Sequence, residues 1–140
     1  DPFDYVLIDC PPSMGLLTLN ALTTAREVFI PIQAEFFALE GLTKLLQTIK
    51  IVQDRINQDL RITGVILTMF DRRKNICRDV AQKVEEHFGK RVFKTRIRDN
   101  VRLAEAPGFG KTILEFAPES HGAEDYRRLV REILRQEGAK

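Results

Sequence analysis

The sequence predicts an α/β fold, a three-layer α/β/α arrangement around a mostly parallel sheet. Short runs of β-favouring apolar residues take turns along the chain with longer segments whose apolar residues recur at helical spacing. Within those short runs the apolar residues are continuous, the pattern of strands covered on both faces. The 140 residues, 44% hydrophobic and 30% charged, suffice for one domain with a buried core. Parallel strands joined in this way require right-handed crossovers.

Each element has its own justification. Tyr5–Val6–Leu7–Ile8 reads as a buried strand that empties into a loop at Asp9 and is broken by Pro11 and Pro12. Residues 16–26 place Leu16, Leu17, Leu19, Ala21 and Leu22 at helical spacing. Residues 28–32 form a second buried strand. A long helix over about 39–57 carries Leu42, Leu45, Leu46, Ile49, Val52 and Ile56 on one stripe. Residues 62–69 form a third strand. Ile76, Val80, Val84 and Phe88 recur every four residues in a helix that ends at Gly89. Arg91–Val92–Phe93–Lys94 alternates with charge and reads as a short peripheral strand. A last helix at about 122–136 is expected to bury Tyr126, Leu129, Val130, Ile133 and Leu134, and to expose Arg127, Arg128, Arg131 and Arg135.

Composition excludes several classes. No apolar run approaches the length of a membrane span and no secretory leader is present, so neither membrane insertion nor export is expected. Cys10, Cys77, His87 and His121 lack zinc-ligand spacing, and their usage fits a reduced, cytoplasmic protein. With no internal repeat and no Gly/Ser linker, residues 1–140 are expected to form a single domain. The chain begins with Asp rather than Met and is expected to be a piece of something longer.

The formal net charge of +2 conceals an uneven distribution. Residues 72–111 carry 12 Lys and Arg against 5 Asp and Glu, whereas residues 1–71 carry 5 against 9 and residues 112–140 carry 5 against 6. The basic middle segment has two readings: a site for an anionic partner such as nucleic acid or nucleotide phosphate, or a solvated face paired with the acidic flanks.

Ligands of open α/β sheets gather at the carboxyl ends of strands. Asp9 stands at one such end, where a carboxylate can hold Mg²⁺ directly or through water, or can instead cap the helix that starts near Gly15. Thr68–Met69–Phe70–Asp71–Arg72–Arg73 is another, readable as a recognition loop with arginines for phosphates or as a solvated connection. A third charged stretch runs from Arg96 to Pro107. Gly108–Phe109–Gly110–Lys111–Thr112 imitates a phosphate loop, but the required first glycine is Glu105, whose charge repels phosphate. Ser13 lacks the glycines of a nucleophile elbow and Cys10 has no identifiable base, so covalent catalysis finds no support.

FDYVLIDCPPSMGLLTLNAL, IPIQAEFFALEGL, GVILTMFDRR and NVRLAEAPGFGKTI, in this order and spacing, closely resemble the ParA/Soj ATPases of bacterial chromosome and plasmid partitioning. The similarity runs over essentially all 140 residues. These are P-loop NTPases of the deviant-Walker group, relatives of MinD. The resemblance implies a protein that binds ATP with Mg²⁺, dimerises around nucleotide, binds DNA without sequence preference and is stimulated by a ParB-like partner. It implies that Asp9 is the Walker B aspartate, on the magnesium side and acting through water when Mg-ATP is present. Pro11, Pro12, Ser13 and Gly15 match the switch segment that follows. Met69, Asp71, Arg98 and Asp99 match the segments that hold adenine. Arg73 and Arg102 match DNA-contacting arginines, with Lys111 adding to that surface. The expected setting is cytoplasmic and nucleoid-associated.

Two departures stand out. The family reads Ile-Pro-Arg-Asn where this chain has Ile97–Arg98–Asp99–Asn100, which removes a rigid turn at the adenine edge and alters its charge. The family's Lys-Gly-Gly-Val-Gly-Lys-Thr loop, its strand and its switch aspartates have no counterpart among the 140 residues. The expectation is therefore a C-terminal part of a ParA-type domain, missing the phosphate-loop strand, holding no cofactor and hydrolysing no ATP by itself. A missing central strand leaves two unpaired edges: either the two flanking strands close up or a neighbouring molecule fills the gap, and a rearranged or swapped oligomer is the expectation. The alternative is a DNA- or partner-binding module without hydrolysis, using Arg73, Arg102 and the arginine face of the last helix. A MinD-like membrane ATPase is disfavoured, because residues 131–140 offer too few bulky apolar residues for an amphipathic anchor.

Overall fold

A computed structural model describes residues 2–11, 15–35 and 38–138, the side chains of residues 38–40 excepted. Its helices are α1 (Leu16–Thr24), α2 (Ala38–Arg55), α3 (Asn75–Phe88), α4 (Val101–Glu105), α5 (Ile113–Phe116) and α6 (His121–Gly138). Strands β1 (Glu27–Gln33) and β2 (Arg61–Thr68) pair with each other. The Arg61 amide donates to the Arg26 carbonyl, and the Ala34 amide to the Thr68 carbonyl. The two residue numbers rise together, so the strands are parallel and α2 is the crossover between them. The fold is α/β with a parallel sheet, as the sequence predicts.

Contacts divide the chain into two compact units, one of Asp1–Val28 with Leu39–Thr63 and one of Phe29–Ala38 with Gly64–Lys140. The first unit buries Leu22 of α1, Leu42, Ile49 and Val52 of α2, and Leu60. Asn57 ties it together: its side-chain amide donates to the carbonyls of Leu22 (3.0 Å) and Ala25 (2.7 Å), which the end of α1 leaves without helical partners. Ile56, expected on the buried stripe of α2, is exposed.

The expected strand at residues 5–8 does not form. No ladder includes these residues among the described part of the chain, and Val6 and Leu7 are 80% and 87% exposed. A continuous apolar run becomes a buried strand only with a hydrogen-bonded neighbour and cover on both faces. Here β1 pairs with β2 instead, and neither takes up residues 5–8.

In the second unit, α3 buries Cys77, Val80, Ala81, Val84 and Phe88, so its inward stripe includes Cys77 where Ile76 was expected. Gly89, at φ +55, ends the helix in a conformation that glycine alone adopts at no steric cost. The expected strand 91–94 is not continuous. A 3-10 turn takes up Gly89–Arg91, after which single parallel bridges join Val92 to Val65 and Arg98 to Phe70. The Phe93 amide donates to Val65 and the Ile97 amide to Leu67, so this segment spends four residues where β2 spends two. The excess forms a bulge at 94–96 that interrupts the ladder. Nor is the segment peripheral. Phe93 and Ile97 are buried with Leu129 of α6, and Phe29, Ile66, Leu103 and Ile133 pack around them. Phe93 passes so close to β2 that a Cβ on Gly64 would lie 2.0 Å from its ring, which explains the glycine in the middle of that strand.

α6 presents a different face from the one its periodicity suggests. Ala123, Asp125 and Leu129 are buried, whereas Tyr126, Val130 and Leu134 are exposed. The arginines behave as expected, with Arg127, Arg128, Arg131 and Arg135 facing outward.

Candidate functional site

β2 ends at Thr68 and the chain turns sharply at Met69, whose φ of +50 is the one left-handed non-glycine backbone among the described residues. Such a conformation costs an L-residue about 1–2 kcal/mol. It leaves Met69 half exposed while Phe70 turns into the core. The Phe70 amide then donates to the Ile97 carbonyl at 3.0 Å, and the Asp99 amide to the Phe70 carbonyl at 3.4 Å. Two stretches that are distant in sequence, 69–71 and 97–99, thus meet at the carboxyl end of β2. Met69, Asp71, Arg98 and Asp99, singled out from the sequence, all belong to this meeting point.

Their side chains are not equally available. Asp71 holds Arg73 in a two-pronged pair, Nε to Oδ1 at 3.0 Å and Nη2 to Oδ2 at 2.9 Å, and also accepts from the Arg73 amide. The Arg73 side chain and amide together hold the Asp71 carboxyl well below the usual range, at about 2. Arg98 is engaged more deeply. Its guanidinium meets both oxygens of Asp125, at 2.7 Å from Nη2 and 2.9 Å from Nε, and also reaches Glu124 at 2.9 Å. These carboxylates raise its pKa further. The structure therefore places Arg98 in an internal clamp, with its charge committed. Asp99 is exposed. Arg96 lies over the Phe70 ring at 4.5 Å from its centroid and pairs with Glu85 at 2.6 Å.

The cationic residues follow. Arg73 is exposed apart from its bond to Asp71. Asn100 caps α4, accepting from the Arg102 amide at 2.8 Å, while the Arg102 side chain points outward and pairs with Glu105 at 2.9 Å. Lys111 lies with Ile113, Tyr126, Arg127, Val130 and Arg131 along an open groove of about 610 Å³. The run 108–112 is not a phosphate loop. Thr112 instead caps α5, its hydroxyl and amide bonded to the Glu115 carboxylate in a reciprocal box.

In the other unit, Asp9 is exposed on residues that carry no strand, and Pro11 and Gly15 are exposed beside it. Pro12 and Ser13 of the expected switch segment lie outside the described residues. Among the described residues no three His, Cys, Asp or Glu side chains cluster as metal ligands. A single exposed carboxylate suits an ion held mostly by water and phosphate oxygens, as Mg²⁺ is. It does not constitute a metal site by itself.

Sequence reasoning missed Asp125 and Glu132. Both face residues 94–98 from α6, and their spacing of seven, two helical turns, was the available signal.

Comparison with known proteins bears on this geometry. An AAA-domain family model matches residues 1–62. The chromosome-partitioning ATPase Soj of Treponema pallidum is 49% identical over 140 residues, all of this chain and 55% of that protein. The sporulation initiation inhibitor protein Soj of Bacillus subtilis is 52% identical over 94% of the chain, and the chromosome partitioning protein ParA of Caulobacter vibrioides 50% over 97%. The chain belongs to the ParA/Soj family. It spans about half the length of these relatives, 52% of the Bacillus protein and 51% of the Caulobacter one. Among solved structures, cobyrinic acid a,c-diamide synthase from Mycobacterium smegmatis with bound ADP and magnesium matches with a TM-score of 0.75 and 36% identity, covering 95% of this chain and 47% of that one. The same enzyme with an ATP analogue and magnesium matches equally. No helix among the described residues of this ParA/Soj chain is long and apolar enough to cross a membrane.

Proposed function

We propose that this chain is the C-terminal part of a single ParA-type domain, carrying the base-holding and DNA-contacting parts of a partitioning ATPase together with its magnesium-side carboxylate. Hydrolysis then requires a phosphate loop that the 140 residues do not contain. The observation that carries this reading is the meeting of 69–71 with 97–99 at the carboxyl end of β2, where α/β folds receive ligands. The strained Met69 backbone supports it, since such strain concentrates at sites of function.

Met69 offers a flexible apolar surface to the flat face of a base. The exposed Asp99 lies at its edge, while Asp71 is paired with Arg73 and Arg98 with Asp125 and Glu124, so neither offers the base a free charge. Asp9 is the magnesium-side carboxylate, acting through water, with Pro11, Pro12, Ser13 and Gly15 as the switch segment beside it. Bound Mg²⁺ would neutralise developing charge on the phosphates. Arg73, Arg102 and Lys111 contact DNA phosphates without reading sequence. A ParB-like protein, a second copy of the chain and a cytoplasmic, nucleoid-associated setting complete the proposal.

Photolabelling with 8-azidoadenosine at millimolar concentration tests it. Label is expected on the peptides that contain Met69 and residues 97–99, and unlabelled adenosine should compete. Label confined to other peptides would defeat the assignment.

A further inference from the structure

The bulge at 94–96 exposes backbone amides that a regular strand would have paired with β2. The amides of Lys94 and Thr95 both donate to the Glu132 carboxylate, at 2.7 and 2.9 Å. The Arg98 amide donates to Asp125 at 3.0 Å, and the Arg98 side chain grips the same carboxylate. Asp125 and Glu132 are seven residues apart on α6, about 10.5 Å at 1.5 Å per residue. Two carboxylates on one helical face therefore hold a segment that runs the opposite way, Glu132 at residues 94 and 95 and Asp125 at residue 98. α6 thus holds this stretch as a neighbouring strand would.

The two carboxylates differ in commitment. The Asp125 side chain is only 4% exposed, a buried charge that is costly unless paired. Burial pushes its pKa up, but the Arg98 side chain and amide outweigh that and hold it below the usual range. Arg98 then has no freedom to swing outward, and Ile97, Arg98 and Asp99 are fixed relative to Phe70 and hence to Met69.

We propose that Asp125 is a positioning residue for the nucleotide base: through the Arg98 amide and guanidinium it holds residues 97–99 in register with the end of β2. This rests on the reading of 69–71 and 97–99 as the base-holding segments. Asp125 acts at a distance through Arg98 and touches no ligand. Its role explains how this chain keeps a fixed edge at residue 98 with arginine there.

Hydrogen exchange read by mass spectrometry, on the 140-residue chain alone and with millimolar adenosine or guanosine, tests the proposal. In the unaltered chain, peptides covering 94–100 are expected to exchange slowly, and adenosine, unlike guanosine, to slow them further. Asp125→Asn is expected to speed exchange in 94–100 by about tenfold, the loss of one charge-assisted bond. It should also remove the adenosine effect while α3 peptides stay as protected as before. Asp125→Glu, which keeps the charge, should retain most of both effects. If Asp125→Asn speeds exchange but leaves the adenosine effect intact, Asp125 is a tether only and the proposal is overturned. If the unaltered chain shows no adenosine effect while Asp125→Asn still speeds exchange, the base-holding reading has failed and the positioning role falls with it. Should Asp125→Asn unfold the unit, seen as α3 exchange, Glu124→Gln with Arg98→Lys replaces it. That pair weakens the grip on residue 98 while Asp125 stays paired, and an adenosine effect undiminished by it counts against the proposal.

Discussion

Arg73 and Arg102 each enter any encounter with DNA already paired. Asp71 holds the first and Glu105 the second, at 2.9 Å in both cases, so each arginine is half of a neutral pair in the free protein. A phosphate must displace the carboxylate or share the guanidinium with it. Glu105→Gln removes the competitor at Arg102 without touching the cation, and is therefore expected to strengthen non-specific DNA binding. Arg73→Ala with Arg102→Ala is expected to weaken it. One phosphate contact contributes about 0.9 to the slope of log K against log salt, or about 3.5-fold in K over a fourfold rise in salt. The double alanine variant should therefore flatten the slope by about 1.8 and reduce the salt penalty about twelvefold. Glu105→Gln should raise affinity at low salt by up to about threefold, within one contact's worth. Fluorescence anisotropy with duplexes of unrelated sequence, at about 50 and 200 mM salt, measures both quantities. An unchanged slope in the double variant, or weaker binding by Glu105→Gln, would show that these arginines do not meet phosphate.

Three further outcomes are expected. Met69→Gly relieves a left-handed backbone worth about 1–2 kcal/mol against a glycine entropy cost of about 0.5–1 kcal/mol, so urea denaturation should show stability raised by up to about 1.5 kcal/mol while 8-azidoadenosine labelling falls. Acid should loosen the second unit. The Asp71 carboxyl titrates near 2 in the folded chain against about 3.9 unfolded, and Asp125, Glu124 and Glu132 are also lowered, so their stabilisation is present above about pH 4 and disappears as pH falls toward 2. Helical circular dichroism followed downward from pH 5 checks this; Asp71→Asn should make the loss shallower. The exposed run at 5–8 should drive self-association that rises with protein concentration in light scattering, and Leu7→Lys should suppress it. A chain that stays monomeric at every concentration would show that the exposed run drives no association.

How far the sequence could be read depended on whether local pattern or remote pairing decides an element. α1, α2, α3, β1 and β2 stand close to where their periodicities place them, but in α1 the buried face is not the expected one: Leu16 and Leu17 are 78% and 73% exposed, while Thr18 and Leu22 are buried. Residues 5–8 carry an equally clear strand pattern and form none, since a strand also needs a neighbour that its own residues cannot specify. Phe93 looked peripheral because Arg91 and Lys94 flank it, yet those charges sit at a turn and a bulge while the ring fills the core. In α6 the apolar spacing pointed to Tyr126 and Val130, but Asp125 and Glu132 outweigh it, because the bulged segment's amides require carboxylates and turn the helix toward them. The same effect hid the pairing of Arg98. The family resemblance matched it to a segment that holds adenine, and its partner Asp125 lies 27 residues further on, in a helix where no charge was expected to face inward. The decoy at 108–112 was legible, since Glu105 excluded phosphate, and Thr112 proved to be a helix cap.

On the proposed reading this chain holds parts of a partitioning ATPase but not the phosphate grip that hydrolysis needs. Magnesium-dependent ATP turnover by the purified 140-residue chain tests it most directly. None above buffer is expected, with Asp9→Ala indistinguishable from the unaltered chain. Turnover that requires magnesium and disappears with Asp9→Ala would contradict it.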